Sequence, residues 1–147
     1  MPVLANDAWE ALLAAHATLM KRFAASDAWG SGTRGGVTMR EYDVLYTLSK
    51  CPSPVNITEL NRHVLLSQPA LSRLVDRLTA RGLVARHADP KDRRGVLLGL
   101  TGAGREVQGK VGRRHAWSVA EAVSAALTRE EMGQLAAICN KLAGGAQ

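Results

Sequence analysis

The sequence has few aromatic residues and no long apolar run. Aromatic side chains make up 4% of its 147 residues, whereas hydrophobic residues make up 46%. A core must therefore be built mainly from aliphatic side chains and alanine, which suits helices, and the hydrophobic share argues against global disorder. No apolar stretch reaches the roughly 18 residues that a membrane span requires, and no signal peptide is visible. These absences predict a cytoplasmic protein without a membrane partner, and a length of 147 residues suits a single domain.

Cysteine is scarce, and the histidines are scattered. Cys51 and Cys139 lie far apart without CxxC spacing, so we expect two reduced, half-buried thiols with structural roles. The histidines show no HxxxH or HExxH spacing. Motifs of catalysis are missing too, since there is no nucleophile elbow, no paired-carboxylate motif and no Walker lysine after Gly102 and Gly104. We therefore predict no metal site, no cofactor and no enzymatic activity.

Acidic residues are outnumbered, and the excess of positive charge is concentrated in one segment. The chain has 19 Lys and Arg against 13 Asp and Glu, which gives a net charge of +6. Basic proteins favour polyanions, and clustering predicts a nucleic-acid footprint rather than a balanced solvated face. Within residues 62–94 the charged side chains are Arg62, Arg73, Arg77, Arg81, Arg86, Lys91, Arg93 and Arg94 against Asp76, Asp89 and Asp92.

Apolar spacing and capping signals predict the element order α-α-α-α-β-β-α-α, a mainly α fold with a small β-hairpin. Capping boxes begin at Thr38 and Thr128, and Asn56 or Thr58 caps a third helix that carries Leu60 and Val64 inward. The predicted helices cover about 7–25, 38–50, a short stretch after 56, 67–82, 101–126 and 128–145, and a Gly- and Ser-rich loop covers 26–36. The predicted strands cover 83–87 and 95–100, joined by a polar turn at 88–94 that is too long for a tight two-residue turn.

A short helix, a turn, a second helix and a basic hairpin form the winged helix-turn-helix pattern. An α-helix fits the major groove of DNA, where its first residues meet the base edges. The hairpin, or wing, can reach the adjacent minor groove, where negative potential attracts arginine. The pattern therefore predicts that the fourth helix recognises double-stranded DNA.

Two sequence runs resemble those of a known family. LSRLVDRLTARGLV from Leu71 to Val84 and DPKDRRGVLLGLT from Asp89 to Thr101 resemble the recognition helix and wing of the MarR (multiple-antibiotic-resistance regulator) family. The resemblance extends over essentially the whole chain. It implies a homodimer that binds a palindromic operator, and many such proteins release DNA when a small aromatic ligand or an oxidant acts on them. We expect a single MarR-type domain at 1–147, with a winged helix-turn-helix at 38–100 and a helical dimerisation part at 1–36 and 101–147.

The resemblance also implies which residues contact DNA. Arg73 is the candidate for base readout, since a guanidinium can grip guanine O6 and N7, and Arg77 is expected to meet a phosphate. In the wing, Arg94 matches the arginine of the minor groove, Asp92 its orienting partner, and Arg93 a phosphate contact. Any one of these arginines, read alone, remains a candidate solvated surface residue. The recognition-helix residues implied to face DNA are Gln68, Pro69, Ala70, Ser72, Arg73 and Arg77.

A ligand site and a dimer interface are further expectations. Tyr42 and Tyr46 lie one turn apart. With the first-helix residues they are candidates to line a crevice for a small aromatic ligand, although core packing explains the tyrosines equally well. The first-helix candidates are His16, Met20 and Phe23. The apolar stripes expected to form a homodimer contain Leu12, Leu19, Val111, Val119, Leu135 and Leu142.

Together these features predict a sequence-specific DNA-binding transcription regulator, a repressor that an aromatic or phenolic ligand releases from its operator. One alternative is a regulator without small-molecule input, or one that acts as an activator. The other is an enzyme or a scaffold that reuses the fold.

Overall fold

Helices dominate the chain, and one antiparallel hairpin interrupts them. The computed structural model describes residues 1–30 and 36–144. Its elements are α1 (Pro2–Ala24), α2 (Met39–Lys50), α3 (Ile57–Asn61), α4 (Gln68–Ala80), β1 (Val84–Asp89), β2 (Asp92–Leu100), α5 (Gly102–Ser124) and α6 (Arg129–Leu142). The order confirms the predicted mainly α fold with a β-hairpin wing. The predicted loop at 26–36 lies partly outside the described residues, as does Gly145 at the predicted end of α6.

Side chains at the helix starts satisfy the first backbone amides. Thr38 Oγ1 accepts from the amide of Glu41 at 3.2 Å, and Glu41 Oε2 accepts from the amide of Thr38 at 3.0 Å. Thr128 and Glu131 repeat the arrangement at α6, with 3.3 and 2.8 Å. Both predicted capping boxes are therefore confirmed. At α3 the cap is Asn56, one of the two candidates that the sequence left open.

Helix α4 follows the sequence signals closely. Ser67 Oγ accepts from the amide of Ala70 at 3.3 Å, and Pro69 lies in the first turn, where its missing N–H is not needed. Gly82 follows the helix with φ of +72°, a conformation that suits glycine. The predicted buried stripe is confirmed, and its members are Leu71, Leu74, Val75 and Leu78.

The boundaries of two other helices differ from those expected. α1 begins at Pro2, five residues before the predicted start, because proline is tolerated in a first turn. α3 ends at Asn61, so Val64 lies in the turn beyond this helix rather than on it. Val64 is nevertheless half-buried against the core.

The chain divides into two compact units. The central unit, Asp27–Arg114, contains α2, α3, α4, the hairpin and the first part of α5. Its core is almost entirely aliphatic, with side chains from every one of these elements, as the shortage of aromatic residues requires. The core residues are Val37, Tyr42, Val44, Leu45, Leu48, Leu60, Leu71, Leu74, Val75, Leu78, Leu83, Val84, Leu98 and Val111.

The hairpin is longer and its turn tighter than predicted. β1 extends to Asp89 and β2 starts at Asp92, so that two residues, Pro90 and Lys91, connect them. The expectation of a turn too long for a tight connection was therefore wrong. The physical reason is that the surplus residues, 93–95, form a bulge in β2 opposite the step from Ala88 to Asp89.

A short extra pairing extends the hairpin on its other side. Val55 forms an antiparallel bridge with Leu98, with N–O distances of 3.0 and 2.7 Å. This bridge attaches the segment before α3 to β2, and through it the wing is tied to the helices. No local sequence signal had indicated the bridge.

The terminal unit contains Met1–Ser26 and the residues from His115 on. In it the rings of Phe23 and His115 meet edge to face with centroids 5.3 Å apart, and the hydroxyls of Ser26 and Ser118 are 3.1 Å apart. Large apolar side chains of this unit remain exposed, and no residue of α6 is buried. The exposed ones are Met1, Val3, Leu4, Trp9, Leu13, Trp117, Leu135, Ile138 and Leu142.

One residue of the predicted dimer stripe belongs elsewhere. Val111 has 5% of its surface exposed and lies in the core of the central unit. It was therefore wrongly included in a stripe open to a second copy, because helical spacing alone does not tell which partner covers a face.

Within residues 1–30 and 36–144, no helix is both long and apolar enough to cross a membrane.

Candidate DNA-binding surface

The exposed face of α4 carries the predicted recognition residues. Opposite its buried leucine stripe, five of the six predicted residues are exposed and Ala70 is half-buried. Their exposure leaves polar groups in water at the start of a helix that is fixed to the core along its other side. A rigid helix with such a face can enter a major groove. The exposed five are Gln68, Pro69, Ser72, Arg73 and Arg77.

Glu41 links α2 to the end of α4. Its side chain is 10% exposed, and its Oε2 accepts from the amide of Thr38 and from Arg81 Nη1, the latter at 3.2 Å. Arg77 Nε lies 4.0 Å from Oε1 of the same carboxylate. Arg81 Nη2 also donates to the carbonyl of Gly36 at 2.6 Å. The sequence had identified Glu41 as a capping residue, but nothing local indicated its arginine partners.

Four arginines of the basic segment have carboxylate partners within the protein, one of them being Arg77, whose Nε lies 4.0 Å from Glu41. Arg62 pairs with Glu59 at 2.8 Å, Arg86 with Asp76, and Arg81 with Glu41. Other cations of the basic segment remain available for DNA. In the described part of the chain, Arg73, Lys91, Arg93 and Arg94 form no ion pair.

Two aspartates fix the backbone at the tip of the wing. Asp89 Oδ1 accepts from the amide of Lys91 at 2.9 Å, and Asp92 Oδ1 accepts from the amide of Arg94 at 3.0 Å. A Cβ on Gly95 would lie 3.0 Å from the Cβ of Asp89, so glycine suits the bulge at this point. The result is that Asp92 holds the main chain of Arg94 and leaves its guanidinium exposed.

A groove lies beside the recognition helix. Its volume is about 530 Å³. Arg73 and Arg77 of α4 border it, and a third arginine, Arg40 from the first turn of α2, lines it as well. Arg40 was not among the residues predicted from the sequence, although a cation in the first turn of a helix is unusual and was a usable signal. The remaining lining residues are Thr38, Met39, Leu66, Ala70 and Leu74.

The two tyrosines of α2 differ in exposure. Tyr42 is 7% exposed and Tyr46 is 43% exposed, and their ring centroids lie 5.9 Å apart. Burial raises the pKa of Tyr42 above 10.0, partly offset by a side-chain hydrogen bond with Gln108. Lys50 Nζ lies 5.1 Å from the Tyr46 ring. Tyr42 is therefore a core residue of the central unit, whereas Tyr46 presents an open ring.

The other ligand candidates lie on α1 in the terminal unit. There His16 is exposed, Met20 is half-buried and Phe23 is buried.

Cys51 and Cys139 are half-buried free thiols, and Cys51 Sγ donates to the carbonyl of Thr47 at 3.3 Å. Among the residues that the structure describes, no group of three His, Cys, Asp or Glu side chains is placed to hold a metal ion.

The sequence matches the model of a known family and is similar to a curated relative. The MarR family model matches residues 35–95. The multiple antibiotic resistance protein MarR of Salmonella typhimurium is 27% identical over 106 residues, which are 72% of this chain and 73% of that protein.

Solved structures are similar over nearly the whole chain. Sco3205, a MarR family transcriptional regulator from Streptomyces coelicolor in complex with DNA, has a TM-score of 0.77 and 28% identity, with coverage of 97% of this chain and 87% of that one. The PcaV transcriptional regulator from the same organism, in complex with its natural ligand, has a TM-score of 0.66 and 25% identity over 94% of this chain and 90% of that one. The similarity therefore includes the helices at both ends as well as the segment that the family model matches.

Proposed function

Because this chain belongs to the MarR family of winged helix-turn-helix transcription regulators, we propose that it is a cytoplasmic repressor that binds a palindromic operator as a homodimer. The observation that carries the proposal is the division of α4 into a buried leucine stripe and an exposed face with Arg73 and Arg77. The wing adds Arg93 and Arg94, both exposed. This arrangement offers cations to the grooves and the backbone of one half-site.

The proposed contacts divide into those that read sequence and those that position the protein. Arg73 contacts a base edge from the exposed face of α4, and such a contact carries sequence information. Arg77 and Arg93 contact phosphates, which fix the register of the protein on the duplex. Arg94 enters the minor groove, and Asp92 holds its main chain there through the 3.0 Å hydrogen bond.

The homodimer is proposed from the exposed apolar residues of the terminal unit. Leu4 is 72% exposed, Ile138 59% and Leu142 71%. Monomeric proteins rarely leave many such side chains in water. A two-fold interface would cover them and would place two recognition helices on a palindrome, with half-sites roughly 10 bp apart.

The second part of the proposal is that a small aromatic ligand releases the protein from its operator. In the central unit, the open ring of Tyr46 beside Lys50 suits an aromatic acid, since the ring can stack and the ammonium can pair with a carboxylate. The candidate residues on α1 remain His16, Met20 and Phe23. PcaV, a similar regulator, is known in complex with its natural ligand. A regulator without small-molecule input, or an activator, is the competing function.

Selection of DNA from a random pool tests the main proposal. The full-length protein should enrich a palindromic sequence, and fluorescence anisotropy should then give a tighter Kd for that duplex than for a scrambled one. Affinity should fall steeply with salt, because bound phosphates release counterions. Sedimentation should show a dimer at micromolar concentration. Failure to enrich any sequence, together with affinity that salt does not change, would contradict the proposal.

A thermal-shift screen of phenolic acids tests the ligand. A compound that binds only the folded protein stabilises it by roughly 2.7 kcal/mol at a hundred times its Kd. A true inducer should raise Tm, weaken operator binding, and lose both effects in Tyr46→Ala. If no compound in the screen raises Tm, the regulator without small-molecule input is favoured. A reporter gene placed behind the selected operator then distinguishes repressor from activator.

A further inference from the structure

The groove between the start of α2 and the recognition helix holds more positive charge than folding requires. Arg40, Arg73 and Arg77 line it, and no acidic side chain is among the described residues that line it. The carboxylate of Glu41 lies 3.2 Å from Arg81 and 4.0 Å from Arg77. Three positive charges thus line the groove, and the nearby Glu41 is shared between Arg77 and Arg81, so the groove attracts an anion.

Arg40 in particular is not explained by the stability of its helix. It occupies the second position of α2, directly after Met39. A cation in the first turn opposes the helix dipole and is therefore unfavourable for the helix itself. Arg40 is exposed and forms no ion pair among the residues that the structure describes. A group outside the chain is therefore the natural partner of its guanidinium.

We propose that this groove seats one backbone phosphate of the operator, held by Arg40 from α2, next to the phosphate that Arg77 contacts from α4. The inference rests on the proposed DNA-binding function and adds a contact from a helix outside the helix-turn-helix. Exposed guanidiniums border the groove, whereas Leu66 is half-buried and Leu74 is buried. Cations beside an apolar lining suit a phosphodiester with its deoxyribose.

The position of the groove favours DNA over a free anion. Arg73 and Arg77 line the groove and also stand on the exposed face of α4 that is proposed to enter the major groove. A DNA strand at the edge of the major groove would therefore run along the protein groove that Arg40 lines. Phosphate contacts fix register without reading sequence, so Arg40 is a positioning contact.

Arg40→Ala tests the proposal, and Arg105→Ala is its matched control. Arg105 is also an exposed arginine near the start of a helix in the central unit, but it does not line the groove. Each variant is titrated with the selected operator and with a scrambled duplex between about 50 and 200 mM salt. A dimer that loses two phosphate contacts should show a log–log salt slope that is shallower by roughly 1.8. The ratio of the variant Kd to the parent Kd should therefore be roughly twelvefold smaller at 200 mM than at 50 mM salt.

The outcomes separate the groove from the wider function. Support requires that Arg40→Ala weakens both duplexes alike, that Tm stays equal or rises, and that Arg40→Lys restores the slope. If the parent binds DNA with a steep salt slope and Arg40→Ala behaves like the parent or like Arg105→Ala, the groove proposal is overturned while the proposed function stands. A large fall in Tm with Arg40→Ala overturns it as well, since the residue is then structural. If the parent itself shows no salt dependence, the proposed function fails first.

A last test uses inorganic phosphate to distinguish a DNA contact from a site for a free anion. Inorganic phosphate at about 10 mM and constant ionic strength should leave operator binding by the parent unchanged, because only the polyanion gains from counterion release. If inorganic phosphate raises the Tm of the parent but not of Arg40→Ala, and the two proteins bind the operator alike, the groove belongs to a free anion and the DNA contact is overturned.

Discussion

Glu41 should contribute more to the free energy of unfolding than its capping hydrogen bond alone accounts for. In Glu41→Ala the amide of Thr38 loses its acceptor at 3.0 Å, and Arg81 loses its carboxylate at 3.2 Å. Loss of the hydrogen bond that Glu41 accepts from the N-cap amide costs about 1 kcal/mol. Loss of one partner from a buried ion pair costs about 3–5 kcal/mol and an exposed pair contributes about 0–1 kcal/mol. Because the Arg81 side chain is 35% exposed, we take about 1–2 kcal/mol for the pair.

The expected total is a loss of about 2–3 kcal/mol, or a fall in Tm of roughly 6–10 °C for a chain of this size. The α6 box provides a control inside the same molecule. Glu131 caps Thr128 with the same geometry, but it is fully exposed and forms no ion pair in the described part of the chain. Glu131→Ala should therefore lower Tm less than Glu41→Ala does.

Thermal unfolding followed by circular dichroism measures both variants, at one protein concentration because a dimer makes Tm depend on it. Equal losses in Glu41→Ala and Glu131→Ala would refute the contribution of the arginine pair. A double-mutant cycle with Arg81→Ala isolates that contribution. If Glu41→Ala costs as much in the Arg81→Ala background as in the parent, the two residues are not coupled and the reasoning fails.

Three further predictions concern the proposed surface and the α6 cap. Arg94→Ala should weaken operator binding at least roughly tenfold without lowering Tm, because its guanidinium is exposed; equal binding in anisotropy, or a large loss of Tm, would contradict the wing assignment. Arg73→Ala should lower the ratio of operator to random affinity, whereas Arg77→Ala should weaken both duplexes alike and flatten the salt slope by about 1–2; an unchanged ratio in Arg73→Ala would move base readout to another residue. Hydrogen bonds from the amide and hydroxyl of Thr128 hold the pKa of Glu131 below its ordinary 4.5, so its stabilisation is present above that pH and is lost as the pH falls through the lowered value. Denaturant unfolding in acid should therefore show a weaker pH dependence in Glu131→Gln than in the parent, and identical profiles would exclude this role.

Local signals were sufficient for the order of the elements. The boxes at Thr38 and Thr128, the cap at Ser67 and the stop at Gly82 act within four residues of the chain, so the sequence alone determines them. The leucine stripe of α4 follows from helical periodicity in the same way. The same periodicity assigns the recognition residues to the opposite, exposed face of that helix.

Tertiary structure decided the features that join distant segments. The pair of Glu41 with Arg81 spans 40 positions of the chain, and neither residue carries a local sign of the other. The bridge between Val55 and Leu98 likewise joins segments that are far apart in the chain, and neither residue indicates the other locally. The groove at Arg40 exists because packing brings the start of α2 beside α4. Capping and periodicity act between near neighbours in the chain, whereas ion pairs and grooves depend on which segments the core brings together.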